Sequence, residues 1–199
     1  MAEQILTLRE LEELFQEVTL DMLGYIKSGS PLDYSDAAYY AIRVSHKGGP
    51  AWDHSEDVCS ITVKEEDEGY NRQHDVQYAN KDALTVTRTT GETTIINVQW
   101  VFYGPNAFEK AREVKRKIFY QEYHDFLASE KVFVIPDIQA PRRAPELWPP
   151  QGGKWWERWD LNILFNALVI AEHDVSIITS AEIEIDDLSG QVADIVIVE

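Results

Sequence analysis

From Thr93 to Tyr103 the chain alternates with the period of an extended strand. Thr94, Ile96, Val98, Trp100 and Phe102 point one way, and Ile95, Asn97, Gln99, Val101 and Tyr103 the other. Both sets contain large apolar side chains, which predicts a strand in the middle of a sheet rather than at its edge. Gly104-Pro105 ends the run. Asn106 then suits a helix N-cap, with Glu109 three residues on in the arrangement of a capping box. The helix predicted from there to about Ser129 gathers Phe108, Ala111, Val114, Ile118, Phe119 and Phe126 into one arc.

Other segments arrange themselves around that strand. From about Thr7 to Ile26, Leu8, Leu11, Phe15, Val18, Met22 and Tyr25 recur at spacings of three and four, which places them on one helix face. Glu10, Glu12, Glu13 and Glu17 fall early, near the positive end of the helix dipole, and Gly29-Ser30-Pro31 stops the run. Strands are expected at Tyr39–Ser45, Val58–Val63 and Ala83–Arg88, with an acidic loop at Glu65–Gly69 and a turn at Thr89-Thr90-Gly91-Glu92. Val132–Ile135 is a short apolar strand, and Trp156–Asn166 a longer one with Trp159, Leu161, Ile163 and Phe165 on one face. Between them lies a Pro-rich arm, about 136–155, whose prolines preclude a central strand. Ala181–Ile185 and Ala193–Val198 complete the set. The expected fold is α+β: one domain over residues 1–199, with a mixed, mostly antiparallel sheet flanked by two main helices.

Charge narrows the function. Thirty-five acids against eighteen bases give −17, whereas a DNA- or RNA-binding module neutralises phosphate with Lys and Arg. After Arg158 no Lys or Arg occurs, while Asp160, Glu172, Asp174, Glu182, Glu184, Asp186, Asp187, Asp194 and Glu199 follow. Such a surface either keeps a protein soluble or lines a passage through which nucleic acid slides without sticking. No window approaches the roughly 18 to 20 uninterrupted apolar residues of a membrane span, and the start lacks a signal-peptide pattern. Cys59 is the single cysteine, so no internal disulfide is expected, which fits assembly in reducing cytoplasm. Its place in the alternating run Val58–Val63 reads as a small apolar strand residue.

No catalytic constellation emerges, and no cofactor or metal site is expected. Tyr103-Gly104-Pro105-Asn106-Ala107-Phe108-Glu109-Lys110 runs strand, loop, helix like a phosphate-binding loop. It has one glycine, however, and Ala111 stands where a magnesium-binding Ser or Thr would follow the lysine. His46, His54, His74, His124 and His173 are scattered, and no Gly-x-Ser-x-Gly elbow occurs. His173-Asp174 with Glu182 and Glu184 is a conceivable metal cluster, but alternating acids are more commonly the solvated face of a strand. Lys110, Arg112, Lys115, Arg116 and Lys117, interspersed with Glu109 and Glu113, read as a salt-bridged face or one that meets an acidic neighbour. Trp148, Trp155, Trp156 and Trp159 suit a core satellite or an interface better than a sugar platform.

Val98-Gln99-Trp100-Val101-Phe102-Tyr103-Gly104-Pro105-Asn106-Ala107, with Tyr103, Gly104, Pro105 and Asn106 as the motif, is similar to the strand and turn into the central helix of the phage neck or tail terminator family. Glu157, Arg158 and Trp159 resemble the Glu-Arg-Trp start of its following strand, after a Pro-rich connection. The likeness covers roughly Thr93 to Ile185, while the first ninety residues agree in pattern only and residues 53–81 have no counterpart.

The resemblance implies a tail-terminator-like structural protein without enzymatic activity, located in the virion at the tail and neck and assembled in the bacterial host cytoplasm. It also implies a homo-oligomer, a hexameric ring, that ends tail-tube growth and joins the head. Its partners would be the tail-tube protein and head-completion and other neck proteins; DNA would pass through without specific binding, and no membrane would be involved. Residues 53–81, outside the resemblance, would be loops that contact a head-side partner or a sheath. Candidate subunit contacts are Trp148, Trp155, Trp156, Arg142 and Arg143 on the arm; candidate lumen residues are Glu182, Glu184, Asp186 and Asp187. Competing readings are another head- or tail-completion protein, a Trp-rich ligand-binding module, and a metal-dependent hydrolase using His173.

Overall fold

The computed structural model describes residues 6–26, 41–44, 52–53, 55–67, 69, 74–82, 84–148, 154–176, 185–186 and 192–193. In chain order these form helix α1 (Leu8–Met22), strands β1 (Ile42–Val44), β2 (Val58–Glu65), β3 (His74–Asn80) and β4 (Thr85–Tyr103), and helices α2 (Ala107–Lys117) and α3 (Gln121–Ser129). Strands β5 (Val132–Val134), β6 (Arg142–Arg143), β7 (Glu146–Trp148), β8 (Lys154–Trp156), β9 (Arg158–Ser176), β10 (Ile185–Asp186) and β11 (Val192–Ala193) follow. Seven strands make one mixed sheet in the order β1-β2-β4-β9-β5, with β3 also pairing β4 and β6 pairing β9. β1 and β2 run parallel, whereas β2–β4, β5–β9 and β6–β9 are antiparallel. The α+β class with a mixed sheet is therefore as expected, and β4 lies between β2 and β9, as its two apolar faces require.

Several expectations are corrected. No turn interrupts Thr89–Glu92, because β4 runs unbroken from Thr85 to Tyr103. Its threonines favour extended backbone, and pairing with β3 carries the strand through Gly91. The single helix expected from Asn106 to Ser129 is two helices. Along one straight helix Tyr123 would sit about 140° around from Ile118. The break at Ile118–Tyr120 lets Ile118, Tyr123 and Leu127 all reach the core while Phe119 stays exposed. The Pro-rich arm also carries strands: β6 on β9, and the antiparallel pair β7–β8. Strand Trp156–Asn166 begins later and continues to Ser176. Of the strands expected at Ala181–Ile185 and Ala193–Val198, only Ile185 and Ala193 lie among the described residues, paired with each other in β10–β11.

Two compact units divide the chain. The larger, residues 5–73 and 92–169, holds all three helices. Phe15 of α1 meets Trp100 of β4 edge-on at 6.0 Å and Phe165 of β9 at 4.7 Å, and all three rings are excluded from water. The polar atoms buried there are paired. Trp100 Nε1 donates to Thr19 Oγ1 at 2.9 Å, the Thr19 hydroxyl donates to the Phe15 carbonyl, and Gln16 Nε2 donates to the Ile42 carbonyl. Leu8, expected on the same helix face, is exposed. The smaller unit, residues 1–4, 74–91 and 170–199, contains β3, the start of β4 and the end of β9. There Asp174 accepts from Lys81 Nζ at 2.5 Å and from Thr87 Oγ1 at 3.1 Å. The Lys81 ammonium holds the Asp174 carboxyl below its ordinary range. Every residue of β3 is exposed.

Candidate functional site: the Gly-Pro-Asn turn and the Glu-Arg-Trp strand

The two motifs, some fifty residues apart in sequence, meet in the larger unit. Antiparallel pairing sets Val58 opposite Tyr103, which brings Asp57 against the turn that follows. Gly104 adopts φ +106 there, a conformation that side chains rarely adopt. A Cβ at this position would stand 2.5 Å from the Glu56 carbonyl oxygen and 2.6 Å from Asp57 Oδ1. The carboxylate of Asp57 then accepts from the Asn106 backbone N–H and from Asn106 Nδ2, both at 2.9 Å. Asn106 stands at the N-cap position expected of it, and its carbonyl accepts the Lys110 N–H at 3.0 Å, but its side chain makes no capping bond. It is the second half of a clamp on Asp57.

A cation completes the clamp. Lys110 Nζ lies 3.8 Å from Asp57 Oδ2, donates to the Tyr25 hydroxyl, and sits 4.6 Å from the centre of that ring. One turn of α2 therefore ties the start of β2 to the segment after α1. Cys59 is buried nearby, and burial pushes its thiol well above its ordinary range, so it acts as a small apolar residue.

The Glu-Arg-Trp strand docks on this turn through aromatic rings. Trp159 packs on Phe108, the second residue of α2, at 4.4 Å, and its Nε1 donates to Glu157 Oε1 at 3.1 Å. Arg158 makes a two-pronged contact with Asp160, Nε to Oδ1 at 2.7 Å and a second nitrogen to Oδ2 at 2.9 Å. Trp156 lies 4.4 Å from Trp52, edge to face, and 6.3 Å from Tyr103. Tyr103, Gly104, Asn106 and Trp159 thus lie at one junction of β4, α2 and β9, whereas the Arg158–Asp160 pair stays within β9.

The other sequence candidates are distributed differently. Arg142 and Arg143 are exposed on β6, in register with Asp160 and Trp159, and Arg143 Nε is 3.7 Å from Glu157 Oε1. Trp156 is buried within its own chain, so here it fixes the arm to the sheet. Trp148 and Trp155 belong to the β7–β8 pair, where Trp148 opposes Lys154 and Leu147 opposes Trp155. Asp186 pairs with Val192, while Glu182, Glu184 and Asp187 lie outside the described residues. Among the described residues no three His, Cys, Asp or Glu side chains converge as metal ligands, and Asp174 of the imagined cluster is engaged by Lys81. No described helix is long and apolar enough to cross a membrane.

Sequence reasoning missed Asp57 and Trp52, and placed Tyr25 on a helix face without its tie to Lys110. Asp57 immediately precedes a predicted strand, but only the β2–β4 register identifies it as the partner of Gly104 and Asn106. A groove of about 860 Å³ opens beside the junction, between α2 and the segment Ala140–Pro141, lined by Phe108, Arg112, Lys115, Arg116 and Phe119 among others.

No curated protein matches the chain. The model of one family, described as phage neck terminator protein, matches residues 9–191, a span that includes both motifs and the junction they build. The chain belongs to the family of phage neck terminator proteins.

Proposed function

We propose that this protein forms a ring at the head-proximal end of a phage tail, where it ends growth of the tail tube and offers the surface to which the head joins. The observation that carries this reading is the family match across residues 9–191. The junction supports it physically: Asn106 bonds to Asp57 beside β2 and Trp159 of β9 packs on Phe108 of α2, so these side chains are occupied in holding elements together. The role is structural and non-enzymatic, exercised in the virion after assembly in the host cytoplasm. The partners are the tail-tube protein, head-completion and neck proteins, and further copies of this chain in a six-fold ring. Arg142, Arg143, Trp148 and Trp155 on the arm are the proposed first contacts between subunits. DNA passes through the ring without specific binding.

An early stop codon in the gene, followed by electron microscopy of the particles made, tests this reading. Tails of uncontrolled length detached from filled heads are the expected result. Normal-length tails beside unattached heads would move the protein to the head side of the neck, and intact infectious virions would sink the structural reading.

A further inference from the structure

The outer edge of β3 is open. Among the described residues β3 pairs with β4 alone, and every residue of it is exposed. Lys81 N–H donates to the Thr85 carbonyl across the β3–β4 turn. Backbone groups of successive strand residues point to alternate sides, so those of Ala79, Gln77 and Asp75 also face β4. The N–H and C=O groups of Val76 and Tyr78 therefore point outward, along the free edge. The same two residues carry the large apolar side chains of the strand, Val76 40% and Tyr78 64% exposed.

Free strand edges are ordinarily blunted by proline, by charged side chains or by breaks in the strand. The strands that pair along β5–β6 show all three. Val132–Val134 and Arg142–Arg143 are separated by a segment holding Pro136 and Pro141, and both residues of β6 are arginines. β3 has none of these devices. Its sequence, His-Asp-Val-Gln-Tyr-Ala-Asn, runs for seven residues without Pro, Gly, Lys or Arg. Such an edge is a template for one more strand, whose main chain supplies the missing hydrogen bonds.

We propose that this strand is β3 of a second copy, running antiparallel about a two-fold axis at Gln77. The strand is self-complementary in that register. Val76 of each copy lies opposite Tyr78 of the other, and the two exchange the backbone hydrogen bonds that point outward. An aromatic side chain opposite a β-branched one is a favourable cross-strand pair, and the two-fold supplies it twice. Asp75, the one carboxylate of the strand, lies opposite Ala79, so no like charges meet. One strand pair is a small interface, so the dimer forms in a concentration-dependent way. The contact is isologous: it pairs copies and does not propagate round a ring. It is therefore independent of the ring reading and of the arm contacts proposed for the ring.

The test uses the full chain. Sedimentation and light scattering over a concentration series are expected to show the wild-type particle doubling in mass. Val76→Pro removes an outward N–H, leaves those that face β4, and is expected to abolish the doubling with an unchanged circular dichroism spectrum. Val76→Thr keeps the N–H and is expected to retain it. The register has its own readout. Gln77 meets Gln77 as a non-hydrogen-bonded pair, where side chains approach most closely, so Gln77→Cys is expected to oxidise to a disulfide-linked dimer. Cys59 is buried and takes no part. Leu84→Cys, exposed but outside the strand, is expected to stay unlinked. A mass that never doubles, or Gln77→Cys chains that remain unlinked, overturns the proposal. A doubling that survives Val76→Pro, or Leu84→Cys chains that link as fast as Gln77→Cys chains, assigns the contact to another surface and overturns it too. A Gln77→Cys disulfide to a tail-tube or neck protein, with none between copies, overturns the second copy as occupant of the edge. The stop-codon tails decide the ring reading by themselves, so the two failures are distinguishable.

Discussion

At Gly104 two independent constraints meet in one residue. The backbone is left-handed at φ +106, and the space for a side chain is already filled by Glu56 and Asp57. Gly104→Ala is therefore expected to cost roughly 2–5 kcal/mol, the sum of backbone strain and steric displacement. Gly24 is the internal control, since it too has positive φ, +75, but no atom within 4 Å of the place a methyl group would take. Gly24→Ala should cost only about 1–2 kcal/mol, from the conformation alone. Denaturant midpoints of the two variants check this, and equal losses would mean that the Asp57 contact contributes nothing. The sequence singles out Gly104 and Asn106 by resemblance without saying what they hold. The reason is Asp57, which accepts from Asn106 twice and which no local pattern distinguishes from its acidic neighbours.

At the scale of elements, the two main helix starts behave in opposite ways. Thr7-Leu8-Arg9-Glu10 closes a complete capping box: Glu10 N–H donates to Thr7 Oγ1, and Thr7 N–H donates to Glu10 Oε2 at 2.7 Å. Asn106-x-x-Glu109 has the same spacing and makes none, because Asp57 has already engaged Asn106. Thr7→Ala is expected to destabilise by about 1 kcal/mol in thermal or chemical unfolding. The Thr7 backbone N–H, with its hydroxyl second, holds the Glu10 carboxyl below its ordinary value of 4.5. A depressed carboxyl contributes stability above the unfolded-state value and loses it as pH falls through the folded one. Stability of the wild type should therefore decline on the acid side of pH 4.5, and Glu10→Gln should blunt that decline. An acid limb identical in both proteins would remove the box from the account.

Across the whole molecule, the distribution of charge is uneven. Lys and Arg are absent after Arg158, and the last stretch is acidic. If Glu182, Glu184, Asp186 and Asp187 face the DNA path, D186K/D187K should leave tails of normal length and joined heads, yet slow DNA ejection and lower infectivity. Virions of unchanged infectivity and ejection rate would remove these residues from the lumen.

The sequence by itself determined the elements whose periodicity is strict. The buried alternation of Ile96, Val98, Trp100 and Phe102 and the apolar face of α1 from Leu11 to Met22 follow from backbone repeats of two and 3.6 residues, which act locally. Composition likewise determined where acid collects. Tertiary structure decided what local repeats cannot encode. Pairing with β3 carries β4 through a Thr-Gly stretch that reads as a turn, and the need to bury Ile118 and Tyr123 together breaks the second helix. The β2–β4 register alone places Asp57 against Gly104, because a strand's partner is chosen by packing across the sheet rather than by its own residues.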